Sequence, residues 1–425
     1  MKKIAKVDWV ALLIIVLLSL FYFGSLTQVP FHPDESTHIY MSKDSSQNPL
    51  SLAWDGVLPL SNEERIRAID APLAKYLIGL VRGIFSISPL EADWMWGLSW
   101  EENSSAGALP SDKQLLYARS GITILLPMGL WLYYLALKKV LSPIPSLAAV
   151  LLLGLHPLVL LHGRRALSEG PLFLGIALFL WAATREKGNP WLTGLALGIA
   201  VNAKHSSLGL IPAAVLAASI LPFHATDLKI YAGNLLKIAF ATLLIVLMLN
   251  PFYWKYPLKA LNAGSEARFS LAREQQEDYL GRFSLGKQPL RTTIPALILN
   301  TYLTAPQTEE VGNYLKQTQD SKERYLANSI NTWGRDRYSG SILAALTLGG
   351  IGFTLRNFSG KKPAEKRGLL IFAFGTLGMG TFIIFLLPWQ RYALAILPFT
   401  CIWAAAGLTP FTTALRQAIF PPRTN

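Results

Sequence analysis

Val29-Pro30-Phe31-His32-Pro33-Asp34-Glu35-Ser36-Thr37 follows directly on the first long apolar run of the chain and sets two adjacent acids at its end. Carboxylates are costly close to hydrocarbon, so a pair held there between prolines needs a chemical or a topological reason. A polar loop opening after a membrane helix would read the same way, and the rest of the chain has to decide. We take Asp34 as the centre from which to read it.

The run before this stretch, near 8–28, is too long for a signal-peptide core and has no small-residue cleavage site, so it reads as a membrane span. Further apolar runs lie near 117–137, 145–161, 168–184, 191–204, 206–222, 235–253, 340–355, 368–387 and 391–408. They are long and do not alternate, which suits helices of about 20 residues and not the strands of a barrel. With 52% hydrophobic and 15% charged residues and a mean hydropathy of +0.34, the 425-residue chain is too apolar for a soluble protein. The expected fold is an all-α integral membrane bundle of about ten transmembrane helices, one polytopic domain over 1–425.

Parity sets the count. Trp191 to Leu221 is too long for one span, and splitting it at Lys204-His205-Ser206-Ser207 leaves two short ones. With ten spans, Lys2, Lys3 and Lys6, then Lys138 and Lys139, Arg185 and Lys187, Lys229 and Lys237, Arg356 with Lys361, Lys362, Lys366 and Arg367, and Arg416 and Arg423 share one side. That side is cytoplasmic by the positive-inside rule, so both termini are expected there, in a bacterial inner membrane.

The opposite face then carries two large extracytoplasmic loops, 29–116 and 254–339. The first holds twelve acids against six Lys and Arg. Trp54, Trp94, Trp96 and Trp100, with the amphipathic stretch Ala71 to Phe85, predict short helices on the membrane surface covering a site. The net charge of +13 sits in short clusters between apolar runs, which fits membrane orientation and argues against nucleic acid. Cys401 is the single cysteine and cannot pair within the chain. Gly349, Gly350, Gly352, Gly375, Gly378 and Gly380 read as helix-packing contacts. No internal repeat, phosphate-binding glycine loop or paired Cys/His pattern is visible.

Cations in short outward turns are informative because orientation alone would have removed them. They occur in His162-Gly163-Arg164-Arg165-Ala166-Leu167-Ser168-Glu169, at Lys204-His205, and in Trp389-Gln390-Arg391-Tyr392. Each alone reads as a snorkelling anchor. Together, on the face that holds Asp34 and Glu35, they fit a shared anionic ligand such as a phosphate at the lipid surface, which Arg meets with two-pronged hydrogen bonds.

With these stretches in hand, the chain resembles the GT-C-fold glycosyltransferases that use polyprenyl-phosphate sugars, the group of the protein O-mannosyltransferases and the aminoarabinose transferases. The resemblance is carried by His32-Pro33-Asp34-Glu35, Asp70-Ala71-Pro72-Leu73-Ala74-Lys75, Arg165 to Glu169, Gly194 to Lys204, and Arg391-Tyr392-Ala393-Leu394 with Leu397-Pro398. It implies a catalytic acid at Asp34 with Glu35 as its neighbour. Glu169 stands where the family often has Asp, which keeps a carboxylate. Ala71 stands where it often has Pro, which alters the acceptor pocket. No soluble C-terminal domain of the kind found in some relatives is expected.

Transfer from a lipid-linked phosphate needs a base for the acceptor hydroxyl and cations for the departing phosphate. Asp34 is the expected base, with a pKa raised by partial burial and by Glu35. Arg165, Lys204 and Arg391 are the candidates for the phosphate. His32, Lys75, Arg164, Glu169, His205 and Tyr392 are candidates for orienting substrates. His32, Asp34, Glu35 and Glu169 could gather round a divalent metal ion. A single displacement at the anomeric carbon would invert configuration. The expected partners are the polyprenyl-phosphate sugar donor, membrane lipid, and an acceptor that is a glycan, lipid or protein. The alternative is a transporter or flippase of a lipid-linked anionic substrate, with the intramembrane cations as its pathway.

Overall fold

A computed structural model describes residues 6–185, 188–219, 228–283, 290–309, 312–384 and 389–411. Lys2, Lys3, Lys187, Arg416 and Arg423, and the ends 220–222 and 385–387 of two apolar runs, lie outside the described residues. Among the described residues every regular element is helical.

The chain begins with α1 (Lys6–Gly24), and the first outer segment follows as α2 (Pro33–Met41), α3 (Asn62–Ile69), α4 (Leu73–Ile84) and α5 (Trp100–Ser105). Next come α6 (Asp112–Thr123), α7 (Leu125–Leu137), α8 (Pro143–Gly154), α9 (Pro157–His162), α10 (Glu169–Ala183), α11 (Pro190–Ala203), α12 (Ile211–Ala217) and α13 (Leu228–Leu249). The second outer segment holds α14 (Pro257–Phe283), α15 (Leu290–Tyr302), α16 (Leu315–Ala327) and α17 (Ser329–Thr332), before α18 (Arg337–Arg356), α19 (Pro363–Ile384) and α20 (Leu397–Gly407).

Five helices are long and apolar enough to cross a membrane: Val7–Gly24, Asp112–Leu137, Leu228–Leu249, Arg337–Arg356 and Pro363–Ile384. Five shorter apolar helices occupy the remaining hydrophobic runs. The short ones are interrupted where the sequence supplies a cause. His156-Pro157 separates α8 from α9, with the His156 side chain accepting from the Leu158 N–H. Lys204 adopts extended backbone after α11, and a 3-10 turn over His205–Leu210 precedes α12, so the chain breaks where the long run was divided. The protein is an integral membrane protein.

Polar sequence in the first outer segment is helical because it is capped. Ser61 with Glu64, Ser99 with Glu102, and Ser111 with Gln114 form reciprocal capping boxes at the starts of α3, α5 and α6. His32 and Glu35 make the fourth, at α2.

In the bundle, α10 is buried along most of its length between α7 and α11. Small residues set the closest approaches, as expected where lipid gives no hydrophobic drive. A side chain at Gly350 would meet the Trp403 carbonyl and one at Gly407 the Leu346 carbonyl, so α18 and α20 touch backbone to backbone. Gly375 and Gly378 likewise face Phe399 and Gly209, whereas Gly349 and Gly352 have nothing within 4 Å and are not packing contacts. Their helix face carries exposed Leu348 and Leu355 instead, as on a lipid-facing surface. On α1 the exposed Trp9, Leu13, Leu17 and Leu20 form a similar surface.

Candidate active site

The stretch His32-Pro33-Asp34-Glu35 is a helix start. The His32 Nδ1 accepts from the Asp34 N–H at 3.2 Å, Pro33 takes the first helical position, and the His32 N–H donates to Glu35 Oε2 at 3.1 Å. Asp34 therefore sits in the first turn of α2, where the helix dipole favours a negative charge. Its partner comes from the far end of the chain. Arg391, in the 3-10 turn Gln390–Ala395 before α20, donates through Nη1 to Asp34 Oδ2. The Asp34 side chain keeps 28% of its surface exposed and that of Arg391 13%, so the pair is reachable from solvent.

Burial pushes the Asp34 carboxyl up, but the charge and hydrogen bond of Arg391, with His32 beside it, hold it well below the usual carboxylate range. The raised pKa expected from the sequence is thus corrected: an arginine 357 residues away outweighs burial. Glu35 cannot raise it, because its charge is neutralised elsewhere. Burial and the Arg165 and Arg391 charges push the His32 imidazole down to about 3 against the pull of Asp34, leaving it neutral with Nδ1 able to accept.

Glu35 points away from this pair. It is fully buried and receives Arg119 Nε at 2.8 Å, Arg119 Nη2 at 2.7 Å, the Ala166 N–H at 2.8 Å and the His32 N–H. Burial would raise its carboxyl, but Arg119 above all brings it below its ordinary value. Arg119 also donates to the carbonyls of Leu26, Val29 and Pro30. Glu35 and Arg119 thus bolt the start of α2 to α6 and to the turn after α9. Sequence reading passed over Arg119, although an arginine inside the run 117–137 at its outer end carries the signal used for the other cations.

The turn 163–168 is pinned from several sides. Both arginines are fully buried. Arg164 donates to the Leu160 carbonyl, to Ser25 Oγ, and at 3.3 Å to the Tyr325 hydroxyl, with the Phe21 ring 5.4 Å away. Arg165 donates to the carbonyls of Pro30 at 3.2 Å and Thr308 at 2.5 Å, joining the two outer segments. Glu169, at the start of α10, pairs with Lys204. Tyr392 stacks on Trp389 and carries Lys204 and Arg391 at 5.2 and 5.6 Å from its ring centre, which links the Glu169 pair to the Asp34 pair.

Two candidates lie elsewhere. Lys75 is buried and donates to Asp44 at 2.7 Å, whose two oxygens also accept from Nε and Nη2 of Arg67. His205 is acted on by Arg268 and Asp70 and not by the Asp34 cluster. The four residues suggested for a divalent ion do not form such a set: each carboxylate is neutralised by a different cation, Arg391, Arg119 or Lys204. Among the described residues no group of three or more His, Cys, Asp or Glu side chains could hold a metal. Asp93, one of the twelve acids in the first loop and not singled out by any pattern, faces the charges of Asp34 and Asp70. Burial and those acids push its carboxyl up to about 6.

The fold has counterparts among solved structures. ArnT from Cupriavidus metallidurans bound to undecaprenyl phosphate superposes with a TM-score of 0.50 at 14% identity, over 97% of this chain and 63% of that one. The Archaeoglobus fulgidus oligosaccharyltransferase in complex with Zn and sulfate gives 0.50 at 14% identity, over 96% and 49%. The fold is GT-C. The GT-C fold accounts for nearly the whole chain, while the chain spans between about half and under two thirds of those proteins. The Saccharomyces cerevisiae Pmt1–Pmt2 O-mannosyltransferase bound to its sugar donor also matches, at a TM-score of 0.35 over 63% of this chain, which is too distant to weigh. No protein-family model matches the chain, and no curated protein matches it in sequence.

Proposed function

We propose that the protein is a membrane glycosyltransferase that moves a sugar from a polyprenyl-phosphate carrier to an acceptor hydroxyl at the extracytoplasmic face. The contact between Asp34 and Arg391 carries this reading: a candidate base and a phosphate-binding cation, from opposite ends of the chain, share one partly exposed site. The undecaprenyl phosphate bound to ArnT, a protein of the same fold, supports a carrier of that class. The acceptor is a glycan, a lipid or a protein, and the bacterial inner membrane, with both termini cytoplasmic, is the setting that fits the charge distribution.

In this reading Arg391 keeps Asp34 ionised at neutral pH. When the donor phosphate takes over Arg391, the carboxylate loses its counter-charge and becomes more basic as the acceptor proton has to move. The acceptor oxygen attacks the anomeric carbon, its proton passes to Asp34, and the bond from carbon to phosphate oxygen breaks. Polyprenyl phosphate leaves with its charge taken by Arg391, Lys204 and Arg165. One displacement inverts the configuration, and no second carboxylate is needed as a nucleophile. Glu35, saturated by Arg119, positions Asp34 and does not react.

The test is to incubate purified protein with a panel of polyprenyl-phosphate sugars and to identify labelled product by mass. Transfer by the native chain, abolished in Asp34→Asn with carrier binding retained, is the expected outcome. Unchanged transfer by Asp34→Asn removes Asp34 as the base. Carrier movement across vesicles with no transfer from any donor establishes the transporter alternative instead.

A further inference from the structure

From His162 to Glu169 the chain carries four ionisable side chains, and three are held by the protein itself. Arg164 is tied to Ser25 and Tyr325, Arg165 to the carbonyls of Pro30 and Thr308, and Glu169 to Lys204. His162, the last residue of α9, is 1% exposed and neither ring nitrogen has a hydrogen-bond partner. Leaving a polar ring unpaired in a dry interior is costly, and an apolar side chain of the same size would avoid that cost. α9 packs against the turn Gln390–Ala395 that holds Arg391, and the charges of Arg165, Arg391 and Lys204 act on His162, so it lies within the cationic cluster of the candidate site. Other buried, unpartnered groups flank the same cations: the Ser206 and Ser207 hydroxyls follow Lys204, and the Thr308 hydroxyl belongs to the residue whose carbonyl receives Arg165.

We propose that His162 is a direct contact of the donor's sugar-phosphate head, its N–H donating to a phosphate oxygen and its bare nitrogen accepting from a sugar hydroxyl. The proposal rests on the donor-site reading above and deepens it. Arginine and lysine offer donors only, whereas a neutral imidazole brings one donor and one acceptor. A head that carries anionic oxygens beside hydroxyls needs both, and His162 supplies the acceptor that the three cations lack.

The experiment measures binding of undecaprenyl phosphate to the full-length detergent-solubilised protein, native and in the variants His162→Phe, His162→Gln and Arg391→Ala, with melting temperatures alongside. His162→Phe should weaken binding about 5- to 50-fold, the loss of one buried hydrogen bond to a charged group, while its melting temperature holds or rises. His162→Gln, whose amide both donates and accepts, should recover most of the affinity. If the phenylalanine variant does not accumulate, His162→Ala reads the same quantity. Native binding by His162→Phe or His162→Ala, with Arg391→Ala weakened, overturns the role of His162 alone. Native binding by all the variants overturns the donor-site reading itself. A lower melting temperature with unchanged binding makes His162 a structural residue and likewise overturns the proposal.

Discussion

Replacing Glu35 by Gln should loosen the site without touching Asp34 chemically. Gln keeps the size of Glu35 but removes the charge opposite Arg119, which is 2% exposed and then lies buried with only carbonyl and amide oxygens around it. Breaking a buried pair from one side costs about 3–5 kcal/mol in general. Three backbone carbonyls still accept from Arg119, so the lower end of that range, about 3 kcal/mol, is expected here. Arg119→Met should cost more, because it takes a donor from three carbonyls, of which Pro30 keeps Arg165 and Leu26 keeps the Val29 N–H, as well as from the carboxylate, which would keep only the Ala166 and His32 N–H groups. The double variant should fall short of the summed losses by about 2 kcal/mol, the signature of a shared interaction. Melting of the detergent-solubilised single and double variants measures this, and turnover should fall along with it, since Asp34 is anchored by the same helix turn. Strictly additive losses, or a Glu35→Gln variant as stable and active as the native chain, would refute the bolt. The pH sign follows from the lowered Glu35 carboxyl. Its stabilisation is present above the ordinary carboxylate pKa of about 4 and drains away as pH falls toward the lower folded value.

Arg391→Ala should raise the KM for donor at least 10-fold, as expected for losing a charged hydrogen bond worth about 1.5–3 kcal/mol, with a smaller effect on acceptor KM, read from steady-state transfer rates. Asp93→Asn should be more stable than the native chain at pH 8, on the order of 2 kcal/mol after allowing for partial exposure, and equal to it at pH 4. The sign follows because a carboxyl raised to about 6 penalises the folded state above that pH and is relieved as it protonates, and melting at the two pH values checks it. Gly350→Leu should prevent α18 from closing on α20, because its first side-chain carbon already meets the Trp403 carbonyl, while Gly352→Leu, facing open space, should melt within about a degree of the native protein.

Hydropathy made the helices legible, and the few cations in short turns led to Arg391, which meets Asp34. The break at Lys204 followed from length and charge parity together, because 31 residues exceed one membrane crossing and only ten spans put the basic clusters on one side. What was hidden depended on contact. Arg119 lay inside an apolar run, where its charge looked like an interruption and not a partner for Glu35. His32 looked like a substrate ligand because nothing in a linear string shows that its Nδ1 would accept from a backbone N–H two residues on. The direction of the Asp34 titration was unreadable for a similar reason: the sequence put Arg391 at the same site as Asp34, but not that its guanidinium would donate to the carboxylate itself. Lys75 kept its anionic partner secret too, since Asp44 is one acid among twelve in its loop.

Because Asp34 follows α1 and Arg391 comes just before α20, 357 positions further on, a ribosome must add all of that intervening chain before the two can meet. Until α20 docks, a nascent chain therefore displays the Asp34 carboxylate with no guanidinium beside it.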